Sequence, residues 1–375
     1  MSPINTDGYV ETDITFIIHD MRGGGAQRVA KNLIDAWVQK GRRVQVITWM
    51  AQETDFYRLP VDVQRVVVGQ KPSDAGRAAA HLFNLGAIFK IRRHLRESKP
   101  KAAISFITVT NIFLILASLG LRRRIIISER NDPTRQEVGF LWENLRWLLY
   151  RFADVVTANT KHAVMAMEDY VPRQKLLSVR NPVILQHTGV DCERLPVILS
   201  VGRLDPQKNH RLIIEALGRL GIKAQGWSLQ ILGEGRERDI LSDLTEYNGL
   251  SERVTLLGLV TDPNPYYRAA SIFVLSSIYE GTPNALLEAM AHGLPCIVSD
   301  SLPGALEYIE DDVSGLVFRS DDAEHLAECM QSLIDQPELR WRLGREARRR
   351  MENYSLEIVS AQWDRLLFPS PDAEQ

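Results

Sequence analysis

Ile14-Thr-Phe-Ile-Ile-His-Asp-Met-Arg-Gly-Gly-Gly-Ala-Gln-Arg28 starts as a β-branched run, passes through three consecutive glycines and opens a segment of helical periodicity, Ala26–Lys40. A strand leading through a glycine turn into a helix is the first half of a βαβ unit, and the rest of the chain repeats it. Working outward, strands are expected at Ile14–His19, Val44–Thr48, Ala103–Phe106, Ile125–Ser128 and Val155–Ala158, with helices near Ala26–Lys40, Ala80–Glu97, Leu141–Phe152 and Lys161–Tyr170. The pattern then begins again. Strands are expected at Val197–Val201, Leu229–Leu232, Val254–Leu256, Ile272–Leu275, Cys296–Ser299 and Leu316–Phe318, and helices near Arg211–Leu220, Arg236–Asn248, Ala285–His292 and Ala323–Asp335. Alternation of this kind, twice over, predicts an α/β fold of two tandem Rossmann-like, doubly wound parallel-sheet domains facing a central cleft. The proline-bracketed stretch Val179–Pro196 reads as the linker, which puts the domains at 1–183 and 184–354.

Composition excludes several other classes. The 375 residues are 45% apolar and 25% charged, which is neither disordered, collagen-like nor disulfide-stapled. Three scattered cysteines (Cys192, Cys296, Cys329) with no CxxC argue for a reducing compartment and against a zinc ribbon. Met1–Asp13 has no basic start followed by an apolar run, and the apolar stretch Ile112–Leu119 falls short of the ~18 residues a spanning helix needs, so a cytoplasmic location is expected. The net charge of −2 conceals a division: residues 1–185 hold 27 Lys+Arg against 17 Asp+Glu (+10), and residues 186–375 hold 18 against 30 (−12).

Three segments carry candidate chemistry. In the first, Gly24 and Gly25 let the backbone approach a ligand, and the helix beyond offers N–H groups to an anion. It is not GxGxxG, and the following strand, Val46-Ile-Thr-Trp-Met50, ends in no acid, which disfavours a dehydrogenase-type dinucleotide site. In the second, Val201-Gly-Arg-Leu-Asp-Pro-Gln-Lys-Asn-His210 places Arg203 and Lys208 in one loop after the second domain's first strand, a guanidinium and an ammonium suited to a diphosphate. The chain has no Asp-x-Asp, its loose variant being Glu11-Thr-Asp13, so no metal is assigned and cationic side chains would stabilise a leaving diphosphate. In the third, Ile278-Tyr-Glu-Gly-Thr-Pro-Asn-Ala-Leu-Leu-Glu-Ala-Met-Ala-His-Gly-Leu-Pro295, Glu280 stands in a loop, Asn284 is the expected N-cap, and Glu288 sits in the helix's first turns. Taken singly, a loop acid, a helix acid and two loop cations also fit a solvated surface. A tight structural turn also fits the glycines.

Read together, Gly-Gly-Gly-Ala-Gln-Arg, Val-Gly-Arg-Leu-Asp-Pro-Gln-Lys-Asn, Leu232-Gly-Glu-Gly-Arg236, Leu256-Leu-Gly258 and the paired-glutamate segment resemble the successive motifs of retaining glycosyltransferases of family 4, which have the GT-B fold. The resemblance covers roughly residues 13–365, and four of its five motifs lie in the C-terminal half. It implies that Glu280 contacts the donor sugar, that Glu288 holds the nucleotide ribose, and that Arg203 and Lys208 neutralise the donor diphosphate. Gly281, Thr282, Pro283, Asn284 and Leu287 are implied donor contacts, and Gly233, Glu234, Leu257 and Gly258 lie where the nucleobase pocket is built. Gly24 and Gly25 match the loop that closes over the donor or meets the acceptor, Ala305–Glu307 fits the pattern after a late strand, and a helix in 355–375 is expected to return to the N-terminal domain ahead of a loose tail. No cofactor is implied beyond the substrate, a nucleotide-sugar most often UDP-linked.

Two departures stand out. Many family members carry a histidine after the strand that here reads Ile125-Ile-Ile-Ser-Glu-Arg-Asn-Asp-Pro133, and this chain offers Glu129, Arg130 and Asn131 in the acceptor and phosphate loop instead. Position 282, often aromatic, is threonine.

The basic half is where the family binds its acceptor. Ala80–Glu97, Phe140–Phe152 and Arg122–Arg124 mix aromatic and apolar residues with cations, which suits the headgroup level of an anionic membrane. The expected partners are therefore a nucleotide-sugar donor, a lipid-linked or saccharide acceptor and an anionic inner-leaflet surface; no nucleic-acid motif accompanies the basic patch. The same apolar residues also fit a plain role covering the sheet. A sugar-nucleotide epimerase of the same fold, or a non-catalytic sugar-nucleotide-binding subunit, are the alternative functions.

Overall fold

The computed structural model describes residues 11–69, 77–131, 133–134, 138–185 and 194–369, and the side chains of 77–84 fall outside it. Residues 1–10, Cys192 with the middle of the expected linker (186–193), and the last six residues therefore lie outside the described residues. The chain divides into two compact units, one formed by residues 1–182 with 356–375 and the other by 183–355.

The N-terminal unit contains strands β1 (Ile14–Ile17), β2 (Val44–Thr48), β3 (Gln64–Val67), β4 (Ala102–Phe106), β5 (Arg124–Glu129), β6 (Val155–Ala158) and β7 (Leu176–Ser178), with helices α1 (Gly25–Gln39), α2 (Arg77–Glu97), α3 (Thr108–Ser118), α4 (Phe140–Leu149) and α5 (Lys161–Met165). Every pairing is parallel, in the order β3-β2-β1-β4-β5-β6-β7. The strand order reverses between β1 and β4. Strands buried on both faces read as continuous apolar runs, and β1 and β4 are buried throughout.

The C-terminal unit contains β8 (Val197–Val201), β9 (Ser228–Leu232), β10 (Val254–Gly258), β11 (Ile272–Leu275), β12 (Cys296–Ser299) and β13 (Leu316–Phe318), with helices α6 (His210–Leu220), α7 (Arg238–Tyr247), α8 (Asn264–Ala269), α9 (Asn284–Ala291), α10 (Pro303–Leu306), α11 (Ala323–Asp335) and α12 (Pro337–Met351). Its sheet is also all parallel, ordered β10-β9-β8-β11-β12-β13, and reverses between β8 and β11. In open α/β sheets a ligand crevice forms outside the carboxyl ends of the strands flanking such a reversal.

The last helix, α13 (Leu356–Leu367), follows the C-terminal unit in sequence and packs with the N-terminal one. Trp363 is fully buried there, its ring 5.9 Å from that of Phe106. Lys40 Nζ donates to Asp364 at 2.7 Å, and Arg124 Nε donates to the Leu366 carbonyl at 2.5 Å.

Two expectations about elements are corrected, and one helix was not expected. The segment around Ile112–Leu119, read only as too short to span a membrane, forms most of α3, whose residues are buried nearly all round and so show little period in sequence. The helix expected over Lys161–Tyr170 ends at Met165, after which the chain continues in turns. Asn284 is the first helical residue of α9 rather than its cap, since the extended residue before the helix is Pro283.

Candidate active site

The loops after β8 and β11 flank the strand reversal of the C-terminal unit, and Arg203, Lys208 and Glu280 all lie on them. Asp205 starts the first loop's single 3-10 turn, Pro206–Lys208, by accepting from the Lys208 amide at 3.3 Å, with proline in the first turn where its missing N–H costs nothing. The turn fixes where Lys208 leaves the backbone. Asn209 then takes a left-handed conformation (φ 50°) and α6 begins.

Lys208 reaches across to the second loop and pairs its ammonium with Glu280 Oε1, which also accepts from Ser277 Oγ at 2.7 Å. Both contacts fall on Oε1 rather than Oε2. The side chains of Lys208 and Glu280 are 16% and 9% exposed, so the charges are largely desolvated and hold each other strongly. Further bonds join the same loops: Gln207 Nε2 donates to the Tyr279 carbonyl and the Ile278 amide to the Gln207 carbonyl, each at 2.8 Å. Ser276 Oγ donates to the carbonyls of Lys208 and Asn209 at 2.9 Å. Two loops with this many cross-links form one rigid wall, as pre-organised electrostatics requires.

Arg203 behaves differently. Its side chain is 70% exposed, with Nη2 3.2 Å from both Asp205 and Gln207, a contact water and phosphate oxygens can compete for.

The neighbouring strand ends approach this wall so closely that glycine is required. A Cβ on Gly233 (φ 145°) would lie 1.9 Å from the Gly202 carbonyl oxygen, and one on Gly235 would lie 2.2 Å from that of Leu204. The Gly202 amide donates to the Leu232 carbonyl at 2.9 Å, the Gly233 amide to Gly258 at 2.8 Å, and the Leu204 amide to Glu234 at 3.0 Å. Glu234 pairs with Arg238 at 2.8 Å beside Gly258. The Lys208 stem lies over Gly202, with its Cδ 3.1 Å from where a Cβ would stand.

On the far side, Gly281, Thr282 and Pro283 lead into α9, whose fifth residue is the half-buried Glu288. Leu287 is 1% exposed, and its side chain packs in the core among β11 and β12 residues. Leu257 is half buried and packs against the same core, while Ala305–Glu307 closes α10 after β12. Residues that sequence reasoning left without a role are Asp205, Gln207, Ser276 and Ser277. The Asp-Pro pair was a readable turn signal; the two serines carry none.

In the N-terminal unit, Gly24 precedes α1 and Gly25 begins it. Glu129 and Arg130 do not reach solvent. Glu129 closes β5 and accepts from Tyr150 and from Thr108 Oγ1 at 3.2 Å, and burial pushes its carboxyl up from the ordinary range. The Arg130 guanidinium lies 4.3 Å over the Phe106 ring and donates to Asn181 Oδ1. Of that trio Asn131 is exposed. Glu11-Thr-Asp13 is occupied by cations: Lys101 Nζ lies 3.0 Å from Asp13, and Arg43 Nε 3.5 Å.

Family models match the chain in two pieces, Glycosyltransferase Family 4 over residues 23–194 and Glycosyl transferases group 1 over residues 191–350. A Campylobacter jejuni protein, GalNAc-alpha-(1->4)-GalNAc-alpha-(1->3)-diNAcBac-PP-undecaprenol alpha-1,4-N-acetyl-D-galactosaminyltransferase, is 30% identical over 359 residues, 94% of this chain and 98% of that one. The chain belongs to the GT-B glycosyltransferases. The lipopolysaccharide core biosynthesis glycosyltransferase LpsE of Rhizobium meliloti is 33% identical, covering 94% and 98% of the two chains. In fold, this glycosyltransferase is similar to Anabaena HepE, solved in complex with UDP, at a TM-score of 0.79 and 17% identity over 95% of this chain and 99% of that one.

Proposed function

We propose that this glycosyltransferase moves a hexose or N-acetylhexosamine from a nucleotide-diphospho-sugar, UDP-linked, to a lipid-linked or polysaccharide acceptor in cell-surface glycan assembly. We infer retention of configuration and no bivalent metal. The observation that carries the reading is the pairing of Lys208 with Glu280 at the strand reversal, with exposed Arg203 beside it. As the anomeric carbon parts from the diphosphate it gains oxocarbenium character, and charge accumulates on the leaving oxygens. The Lys208 ammonium has donors to spare beyond Glu280, and the Arg203 fork can grip phosphate oxygens in two places. Glu280 Oε2 orients a donor hydroxyl, and Glu288 holds the ribose. Galactosaminyl transfer to an undecaprenyl-diphosphate glycan, named for the Campylobacter relative, and the UDP bound by HepE support this choice of substrates.

Titrating UDP into the full chain by calorimetry tests the donor reading. Binding is expected, and Arg203→Ala is expected to weaken it by about tenfold, the value of one charge-assisted contact, without changing the melting temperature, because Arg203 is exposed. Wild-type binding in the Arg203→Ala protein would remove Arg203 from the site.

The acceptor unit supports a membrane partner. On α4 the buried face includes Arg146, while Phe140 (86% exposed), Leu141, Trp147 (54%) and Leu148, with Phe152 of the 3-10 turn that follows, stand outward. The Arg151 guanidinium lies 5.2 Å over the Trp147 ring, and Lys175 Nζ is 2.8 Å from the Arg151 carbonyl. Aromatic rings with cations among them suit anionic headgroups, at about 1 kcal/mol per cation. Among the described residues no helix is long and apolar enough to cross a membrane. Phosphatidylglycerol vesicles should float the chain at low salt, and Trp147→Ser with Phe152→Ser should cut the bound fraction several-fold. Binding indifferent to lipid charge and salt would contradict the surface.

A further inference from the structure

The N-terminal sheet has its own strand reversal, between β1 and β4, and the residues at those two strand ends are unusual. After β4, the β-branched Ile107 is held at φ 78°, a left-handed conformation such residues avoid and that tends to persist where function requires it. After β1 stands His19. Its Nδ1 is 3.0 Å from Asp20 Oδ2, and its ring stacks on Trp49 at 6.0 Å with 7° between planes. Trp49 is itself fixed by Phe113, 5.3 Å away, which meets Trp142 of α4 at 5.7 Å.

Asp20 is 5% exposed, and besides His19 it accepts from the Arg22 amide, Arg22 Nη2 and Gln27 Nε2, each at 3.1 Å. These bonds, that from His19 foremost, hold its carboxyl well below the usual carboxylate range. A fixed carboxylate on Nδ1 selects the tautomer with the proton there, so Nε2 of the neutral ring is a hydrogen-bond acceptor. Yet His19 keeps 51% of its side chain exposed. Trp49 covers one ring face and Asp20 takes Nδ1, which leaves the other face and the Nε2 edge open.

We propose that His19, oriented by Asp20 and Trp49, is the acceptor-sugar subsite of the N-terminal unit: its open face packs on the sugar ring and Nε2 accepts from a sugar hydroxyl. Asp20 acts through His19 and is a positioning residue. The proposal rests on the glycosyltransferase reading above and supplies a histidine to the acceptor unit at β1, where none stands at positions 129–131.

The test uses the full chain with two ligands measured separately. UDP reports on the donor site, and a fluorescent polyprenyl-diphosphate glycan ending in N-acetylgalactosamine, titrated with UDP present, reports on the subsite. His19→Ala should weaken glycan binding at least tenfold and leave UDP binding within twofold. His19→Gln, whose amide oxygen can stand near Nε2, should recover most of the loss, whereas His19→Asn, whose amide lies near Nδ1, should not. Asp20→Asn should weaken glycan binding as His19→Asn does. A wild-type chain that binds UDP but no glycan, a His19→Ala chain that binds glycan like wild type, or equal behaviour of the Gln and Asn variants would each overturn the subsite. Loss of UDP binding by wild type would instead overturn the donor reading.

Discussion

Lys208→Gln is expected to lower transfer, read as kcat/KM for the donor, by about 10²–10³-fold, the usual effect of deleting one pre-organised group that meets developing charge. The substitution also leaves Glu280 with no cation on Oε1 in a site where its side chain is 9% exposed. Breaking a fully buried pair from one side costs ~3–5 kcal/mol, and the 16% exposure of Lys208 places this one lower. A double variant separates the two effects. Lys208→Gln with Glu280→Gln removes the stranded carboxylate, so stability should recover towards wild type while transfer stays low. Transfer that recovered along with stability would make the pair a brace for the loops and nothing more.

Gly233→Ala should have the largest structural effect. Its Cβ would lie 1.9 Å from the Gly202 carbonyl oxygen, a backbone atom that no rotamer change can move, and the φ of 145° already excludes other residues. The Gly202 segment would have to shift, yet its amide is bound to Leu232 and the Lys208 stem rests on it. A cost of about 3 kcal/mol is expected, seen as a lower melting temperature with UDP binding lost in the same variant. Gly41→Ala is a suitable control: it too has a positive φ, of 75°, but nothing within 4 Å of its Cβ position, so it carries the backbone strain without the collision. Equal melting temperatures for the two variants would contradict the close approach at the site.

Much of the fold was legible because parallel strands buried on both faces appear as β-branched runs. β8, β11 and β12 lie where the sequence puts them. The β-branched signal of β3, Gln64-Arg-Val-Val67 running on into Val68, was present but was not read as a strand, and β7 was not legible, since Leu176-Leu-Ser178 is short, largely exposed and has no β-branched residue. Nor was α12, whose Pro337-Glu-Leu-Arg-Trp-Arg-Leu-Gly-Arg-Glu-Ala-Arg-Arg-Arg-Met351 buries Leu343, Gly344, Ala347 and Met351 behind a mostly charged surface. At the site, motif spacing located the loops but not the direction of side chains. Leu287 sits inside a motif and faces the core, Glu129 sits at a strand end and bonds Tyr150, and the contact of Lys208 with Glu280 joins residues 72 apart. His19 was in view in the opening segment, but the stacking that makes it notable comes from Trp49 on the next strand.

The charge division also gains content. On the proposed function the acidic C-terminal half would meet an anionic donor through a few placed cations, whereas the basic N-terminal half carries aromatic α4, and its positive field would steer the chain towards anionic lipid.

The central claim is that the chain joins a donor sugar to a separate acceptor. Its most direct test incubates the full chain with a panel of nucleotide-diphospho-sugars and the polyprenyl-diphosphate glycan, and follows the glycan by mass spectrometry. A glycan heavier by one sugar residue is expected, with UDP released in equal amount, and the Lys208→Gln chain should form it about 10²–10³-fold more slowly. Release of UDP or rearrangement of the donor sugar while the glycan stays unchanged across the panel would contradict it.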